Sequence, residues 1–284
     1  MLKIGFIGAG TVGTALAVLL NSKGYRFVGA SRRRAFADNP GMVVSNLRIL
    51  ESNQEVADNA DLVFITTPDA AIAEVAKEVN WRSGQSVVHC SGADSINVLE
   101  PARKYGAAVG GFHPLQTFAG IEEAIENIPG STFGIEAEEP LLTTLKEIAA
   151  VLGGHWIKLE AGDKVAYHAA AVFACNYLVT LVKMATDLWQ TFSVPNEQAI
   201  KAMLPLIRGT LHNIETIGIP QCLTGPVARG DTGTVNKHLE TLREKAPSLL
   251  LSYKELGLQT IPISLAKGKI NKQQADELEN ILKN

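Results

Sequence analysis

With 284 residues, 46% of them hydrophobic and 19% charged, the chain can bury an α/β domain and still supply a second one. A net charge of −3 gives no general attraction to nucleic acid or to an anionic membrane surface, so neither is expected as a partner. Cys90, Cys175 and Cys222 are odd in number and lack C-x-x-C spacing, which suggests neither a disulfide framework nor a metal site. A reduced, cytoplasmic setting is the expectation, and a start that runs straight into a strand does not read as a signal peptide.

The first thirty-four residues set the reading. Leu2 to Ile7 is an apolar-rich run of strand length, followed by Gly8-Ala9-Gly10-Thr11-Val12-Gly13 and a helical stretch from Thr14 to Asn21. Gly24 breaks that helix, and Arg26 to Ala30 reads as a second strand. A G-x-G-x-x-G turn between strand and helix is the dinucleotide-binding fingerprint. Gly8 permits the tight turn, Gly10 the approach of a pyrophosphate, and Gly13 the close packing of helix on sheet. The phosphates would then lie on unpaired N–H groups at the helix N-terminus.

The end of the second strand indicates which dinucleotide. An NAD site usually carries an Asp or Glu there, whereas this chain has Ser31-Arg32-Arg33-Arg34. A guanidinium matches a phosphate bidentately, and a neighbouring hydroxyl adds a donor. NADP is therefore the expected cofactor, read by Ser31, Arg32 and Arg33, with a solvated basic loop as the plainer alternative.

Farther along, Asp61 to Ile65 reads as a central strand ending at Thr66-Thr67-Pro68-Asp69. Thr67 is placed to cap the next helix, with Pro68 in its first turn. Ser86 to Cys90 is another buried run, ending at Ser91-Gly92. Ala107 to Gly110 leads into Gly111-Phe112-His113-Pro114-Leu115-Gln116, and strands over Thr132–Ile135 and His155–Leu159 flank a helix from about Glu139 to Leu152. Strands alternating with helices predict a doubly wound, mostly parallel Rossmann-type sheet. Ligands bind outside the carboxyl ends of such strands. That puts Thr66, Thr67, Pro68, Ser91 and His113 beside the cofactor, although each also suits an ordinary turn.

From about Glu160 the pattern becomes wholly helical, so the expected organisation is a dinucleotide-binding domain over 1–159 and an all-helical substrate and dimerisation domain over 160–284. Val165 to Val182 is nearly all apolar, interrupted by His168 and Asn176 and followed by Lys183 and Asp187. It is short for a span of about 20 residues and reads as a core or interface helix. Further helices are expected over Asn196–Ile217, Thr232–Lys245, Pro247–Leu256 and Lys272–Leu282, the last capped by Asn271. A loop rich in Gly and Pro, including Thr224-Gly225-Pro226-Val227-Ala228-Arg229-Gly230-Asp231, precedes the third from last.

The N-terminal half resembles the phosphogluconate dehydrogenase-like superfamily. The combination of Gly111-Phe112-His113-Pro114-Leu115-Gln116, Tyr167-His168 with Asn176, and the Thr-Gly-Pro-x-x-Arg-Gly-Asp loop resembles one branch of it. That branch comprises Rossmann-like NADP oxidoreductases with a C-terminal domain of unknown function. The resemblance implies hydride transfer between NADP(H) and a small molecule, and a homodimer formed through the helical domain. Related β-hydroxyacid dehydrogenases use a Lys and an Asn four apart on the first helix of the second domain. Here Lys164 is followed four positions later by His168, on the same helix face.

His168 suits proton transfer near neutral pH, with a buried core histidine as the plainer reading, and Lys164 reads as a catalytic residue or as a solvated helix start. Asn176 lies eight positions beyond His168, about 12 Å along a helix. It would reach the nicotinamide amide or a distant part of the substrate, unless it is a helix–helix hydrogen bond. Arg229, on a Gly/Pro-rich turn, suits a substrate carboxylate, while Asp231 either orients that Arg or caps the following helix. The sequence thus supports an NADP(H)-dependent dehydrogenase or reductase acting on a small, acidic carbonyl, alcohol or imine compound. A non-catalytic NADP(H)-binding regulator and an NADP:deazaflavin reductase are the alternatives.

Overall fold

The computed structural model describes residues 1–32 and 48–284. Two compact units follow one another, Met1–Cys175 and Asn176–Asn284.

The first unit is built on seven strands: β1 (Lys3–Ile7), β2 (Arg26–Ser31), β3 (Leu62–Ile65), β4 (Ser86–His89), β5 (Ala108–Leu115), β6 (Thr132–Ala137) and β7 (His155–Lys158). Their order in the sheet is β2-β1-β3-β4-β5-β6-β7. All neighbours are parallel except β5 and β6, which run antiparallel with His113 opposite Gly134 and Gly111 opposite Glu136. The chain passes outward from β1 to β2 and then returns to β3 on the other side. The reversal leaves a crevice at the carboxyl ends of β1 and β3, where such sheets hold ligands.

Side chains alternate across each strand, which divides the core in two. Phe6, Phe64, Phe112 and Phe133 lie on one face with Leu16 and Leu20 of α1 (Thr11–Ser22). Ala124 of α5 (Ile121–Asn127) and Leu145 and Ile148 of α6 (Leu141–Val151) complete that face. Phe112 stacks on Phe133 with ring centroids 4.5 Å apart, a geometry favourable beyond the area it buries. The other face carries Ile7, Val63, Ile65 and Val87. It is covered by α2 (Asn53–Asn59), α3 (Asp69–Glu78) and α4 (Glu100–Lys104). The sheet is thus wound on both sides, as the alternation of elements predicts.

α7 (Lys164–Ala171) closes the first unit and passes through a π-helical turn, Val172–Asn176, into α8 (Tyr177–Gln190). By length and composition this stretch, Lys164–Gln190, is the one helix among the described residues long and apolar enough to cross a membrane.

The second unit continues with α9 (Asn196–Ile217), α10 (Thr232–Lys245), α11 (Leu250–Ala266) and α12 (Lys272–Lys283). Val235, Leu239, Ile261, Leu278 and Leu282 form the core of its last three helices. α12 begins with a capping box in which Asn271 and Gln274 bond each other's main-chain N–H groups, as the asparagine there predicts.

Candidate functional site

Each glycine of the fingerprint has a distinct structural cause. Gly8 has φ +109°, and a Cβ there would stand 2.7 Å from the Thr67 nitrogen, so the turn excludes other residues. A Cβ on Gly13 would lie 2.3 Å from both the Gly8 carbonyl oxygen and the Thr66 hydroxyl oxygen. That hydroxyl donates to the Gly8 carbonyl at 2.6 Å and ties β3 to the turn. A Cβ on Gly10, in contrast, would meet nothing within 4 Å among the described residues. Gly10 is the N-cap of α1 and supplies no side-chain cap, leaving the N–H groups of Thr11, Val12 and Gly13 without a capping acceptor. The Thr67 hydroxyl, buried at the end of β3, has no hydrogen-bond partner among the described residues. Open space over an uncapped helix N-terminus, with an orphaned hydroxyl beside the turn, fits a dinucleotide's phosphates.

Other expected cofactor residues are held within the protein. The Gly8 and Ala9 N–H groups both donate to the Ser31 carbonyl, at 3.1 and 3.0 Å, so neither remains for a phosphate. The Ser31 hydroxyl donates to Asn53 Oδ1 at 2.6 Å. Thr67 does not cap α3; Pro68 is its N-cap, and the helix has no side-chain cap. Arg32 is exposed at the end of β2, while Arg33 and Arg34 lie outside the described residues.

The carboxyl ends of β4 and β5 meet α7 in a polar cluster. Lys164 is fully buried and its Nζ donates to the Ser91 carbonyl at 2.8 Å. Burial lowers its pKa, opposed chiefly by the buried carboxylate of Glu136. Glu136 itself accepts from the Ser95 hydroxyl at 2.9 Å and from the Ile96 N–H at 3.1 Å. Ser91 is a hub: its hydroxyl donates to Asp69 at 2.9 Å and accepts from the Asp94 N–H at 3.0 Å. Its own N–H donates to His89 Nδ1 at 3.1 Å. Burial, reinforced by Lys164, pushes His89 down to about 3, so the ring is neutral. Cys90 is no nucleophile here, because burial pushes its thiol up to about 12.

His113 and His168 face each other across Gly92 with ring centroids 6.1 Å apart. A Cβ on Gly92 would stand 2.6 Å from His168 Cδ2 and 2.9 Å from His113 Nε2, so only glycine leaves room for both rings. Tyr167 meets His113 edge-on, its hydroxyl 2.9 Å from Nδ1. Burial, then Lys164, holds His113 down at about 4.

The fold therefore gathers His168, Lys164, His113 and Ser91. Asn176 is exposed and begins the second unit. Arg229 is 63% exposed at its side chain and lies 3.7 Å from Asp231. The Asp231 carboxylate caps α10, accepting from the Thr234 N–H at 3.0 Å and its hydroxyl at 2.7 Å, which lowers its pKa. The sequence reading missed His89, Glu136 and the role of Gly92. Glu136 was the findable one, an acid inside the apolar run Thr-Phe-Gly-Ile-Glu-Ala where an unpaired charge would be costly.

Comparison with known proteins agrees with this architecture. Residues 1–114 match the Rossmann-like domain family, and residues 131–260 match a domain of unknown function, DUF2520. The chain joins a Rossmann-like domain to a DUF2520 domain. This bears out the expected resemblance.

Among solved structures, a Bacteroides fragilis protein described as a candidate NADP oxidoreductase is 27% identical. It superposes with a TM-score of 0.74 over 92% of this chain and 98% of that one. A reductive aminase from Aspergillus terreus, in complex with NADPH and ethyl levulinate, shares the fold at 15% identity, with a TM-score of 0.68 over 100% and 99% of the two chains. A 2-(hydroxymethyl)glutarate dehydrogenase from Eubacterium barkeri is 24% identical over 193 residues, 62% of this chain. The match spans only 60% of that dehydrogenase's length. The chain's relatives are thus dehydrogenases and reductases.

Proposed function

We propose that this chain is an NADP(H)-dependent oxidoreductase acting on a small carbonyl, alcohol or imine compound that carries an acidic group. One observation carries the reading. The open glycine turn and orphaned Thr67 hydroxyl adjoin, through Asp69 and Ser91, the cluster of Lys164, His113 and His168. The names of the relatives point the same way.

The N–H groups of Thr11, Val12 and Gly13, with Thr67, would hold the pyrophosphate, and Arg32 a ribose phosphate. NADPH, when bound, supplies the hydride. The chain's own part is to orient the reacting group and manage a proton. His168 is the proposed proton donor or acceptor. Lys164, buried and polarising, favours a substrate of negative charge.

A second copy of the chain is the proposed partner. Val179, Leu206 and Ile217 on α8 and α9 are 70%, 71% and 56% exposed, apolar side chains that a second copy would cover. The Lys183–Asp187 ion pair on α8 disfavours a lipid surroundings for the same helix.

NADPH oxidation measured across a panel of 2-oxo acids, aldehydes and cyclic imines tests the proposal. Turnover of at least one compound, lost in His168→Ala, is expected. Tight NADPH binding with no turnover across the panel would leave a non-catalytic binding protein instead.

A further inference from the structure

The ring of His113 has two nitrogens in different surroundings. Nδ1 lies 2.9 Å from the Tyr167 hydroxyl, while Nε2 points to the gap over Gly92, beside His168. Which nitrogen carries the proton decides what the ring offers that gap.

Tyr167 settles it. Burial pushes its hydroxyl up to about 12, with partial offset from the Gly134 main chain, so the oxygen keeps its proton at neutral pH. His113 is neutral there for the reasons above and carries one N–H. Were that hydrogen on Nδ1, it would donate to the Tyr167 oxygen. The Tyr167 oxygen already accepts from the Gly134 main chain, the contact that offsets the shift, and its one side-chain partner among the described residues is His113, so the hydroxyl hydrogen would be left without an acceptor. Either tautomer leaves one donor without a protein partner; on Nε2 it faces the gap over Gly92, where a ligand acceptor can meet it, whereas on Tyr167 it would be held between Gly134 and His113 with none. The O–H therefore donates to Nδ1, and the hydrogen of His113 sits on Nε2. Gly134 makes the arrangement possible, because a Cβ there would stand 2.9 Å from the Tyr167 oxygen.

We propose that Tyr167 is a positioning residue that locks His113 as a neutral hydrogen-bond donor, its Nε2–H aimed at the acceptor atom of the substrate's reacting group. This rests on the oxidoreductase reading and narrows it. A donor at that place, in a cluster that already holds the Lys164 ammonium, suits a carbonyl oxygen or a neutral imine nitrogen. It disfavours a protonated iminium, which has no lone pair to offer and would meet like charge. His168 is then the group that exchanges a proton.

Nitrogen-15 NMR of histidine-labelled protein reads the tautomer without substrate or cofactor, the His113 signals being assigned by their loss in His113→Gln. The wild type is expected to show an unprotonated Nδ1 and a protonated Nε2, and Tyr167→Phe a mixture of tautomers with an unchanged unfolding temperature. On a substrate found in the panel, Tyr167→Phe is expected to lower kcat at least fivefold with little change in the KM for NADPH. A protonated Nδ1 in the wild type, or a tautomer ratio indifferent to Tyr167→Phe, overturns the proposal even if the enzyme turns over. A locked tautomer in a protein that does not bind NADPH would instead overturn the functional reading.

Discussion

Gly10 and Gly13 stand three residues apart in one motif, yet the structure gives them opposite fates on substitution. A Cβ at Gly13 would lie 2.3 Å from two oxygens, where ordinary contact begins near 3.4 Å. The turn or the helix must move by about 1 Å, and overpacking of this kind costs about 1–3 kcal/mol. For a chain of this size that is a fall of roughly 2–10 °C in unfolding temperature. Gly10→Ala meets no described atom within 4 Å and keeps an ordinary φ of −85°. Losing a favourable N-cap residue costs about 0.5–1 kcal/mol, and stiffening the unfolded chain returns about 0.4–1 kcal/mol, so stability hardly changes. The added methyl nevertheless fills the space above α1 in which the pyrophosphate would lie. Each lost hydrogen bond to a charged group is worth about 1.5–3 kcal/mol, so NADPH affinity should fall tenfold or more. Calorimetric unfolding and fluorescence titration with NADPH of both variants would separate the effects. A Gly10→Ala protein that binds NADPH like the wild type would refute the phosphate reading of the turn, and a Gly13→Ala protein of unchanged stability would refute the packing argument.

The other predictions are narrower. His168→Ala should lower turnover at least a hundredfold while leaving NADPH affinity within about threefold; equal losses in both would make His168 a packing residue. His89 titrates at about 3 in the folded chain and at 6.5 when exposed. The unfolded chain therefore takes up a proton that the native one refuses, and stability present above pH 6.5 is lost as pH falls towards 3, by about 5 kcal/mol at the limit. Urea unfolding of His89→Gln should show a flatter acid limb than the wild type over that window, and parallel limbs would contradict the assignment. Asp231→Ala should lower the unfolding temperature by uncapping α10, while Asp231→Asn, an equally good cap, keeps the wild-type value; a large kcat loss in the Asn variant would mark Asp231 as a site residue.

Much of the first unit was legible because strand, glycine turn and helix follow from local chemistry. What failed to show depends on distant neighbours. β5 runs through Pro114, a residue that usually ends a strand, because β4 pairs only with Ala108–Gly111 and leaves Pro114 bonded on one side. The helix expected to end at Leu256 continues past Gly257 and Pro262 to Ala266 as α11. Gly257 is there for packing, since a Cβ on it would lie 2.9 Å from Leu282 of α12. The π-turn at Val172–Asn176 has no signature in the apolar spacing. At the site, His113 and His168 were visible as residues, whereas their meeting over Gly92 needed the register of β5 and the start of α7.

The glycine turn and Arg32 at the end of β2 are the proposed seat for NADP(H). Calorimetric titration of the wild type and of Arg32→Ala with NADPH and NADH tests it most directly. NADPH is expected to bind at least tenfold more tightly than NADH, a preference that Arg32→Ala removes by weakening NADPH alone. Equal affinity for the two dinucleotides, or binding of neither, would contradict it.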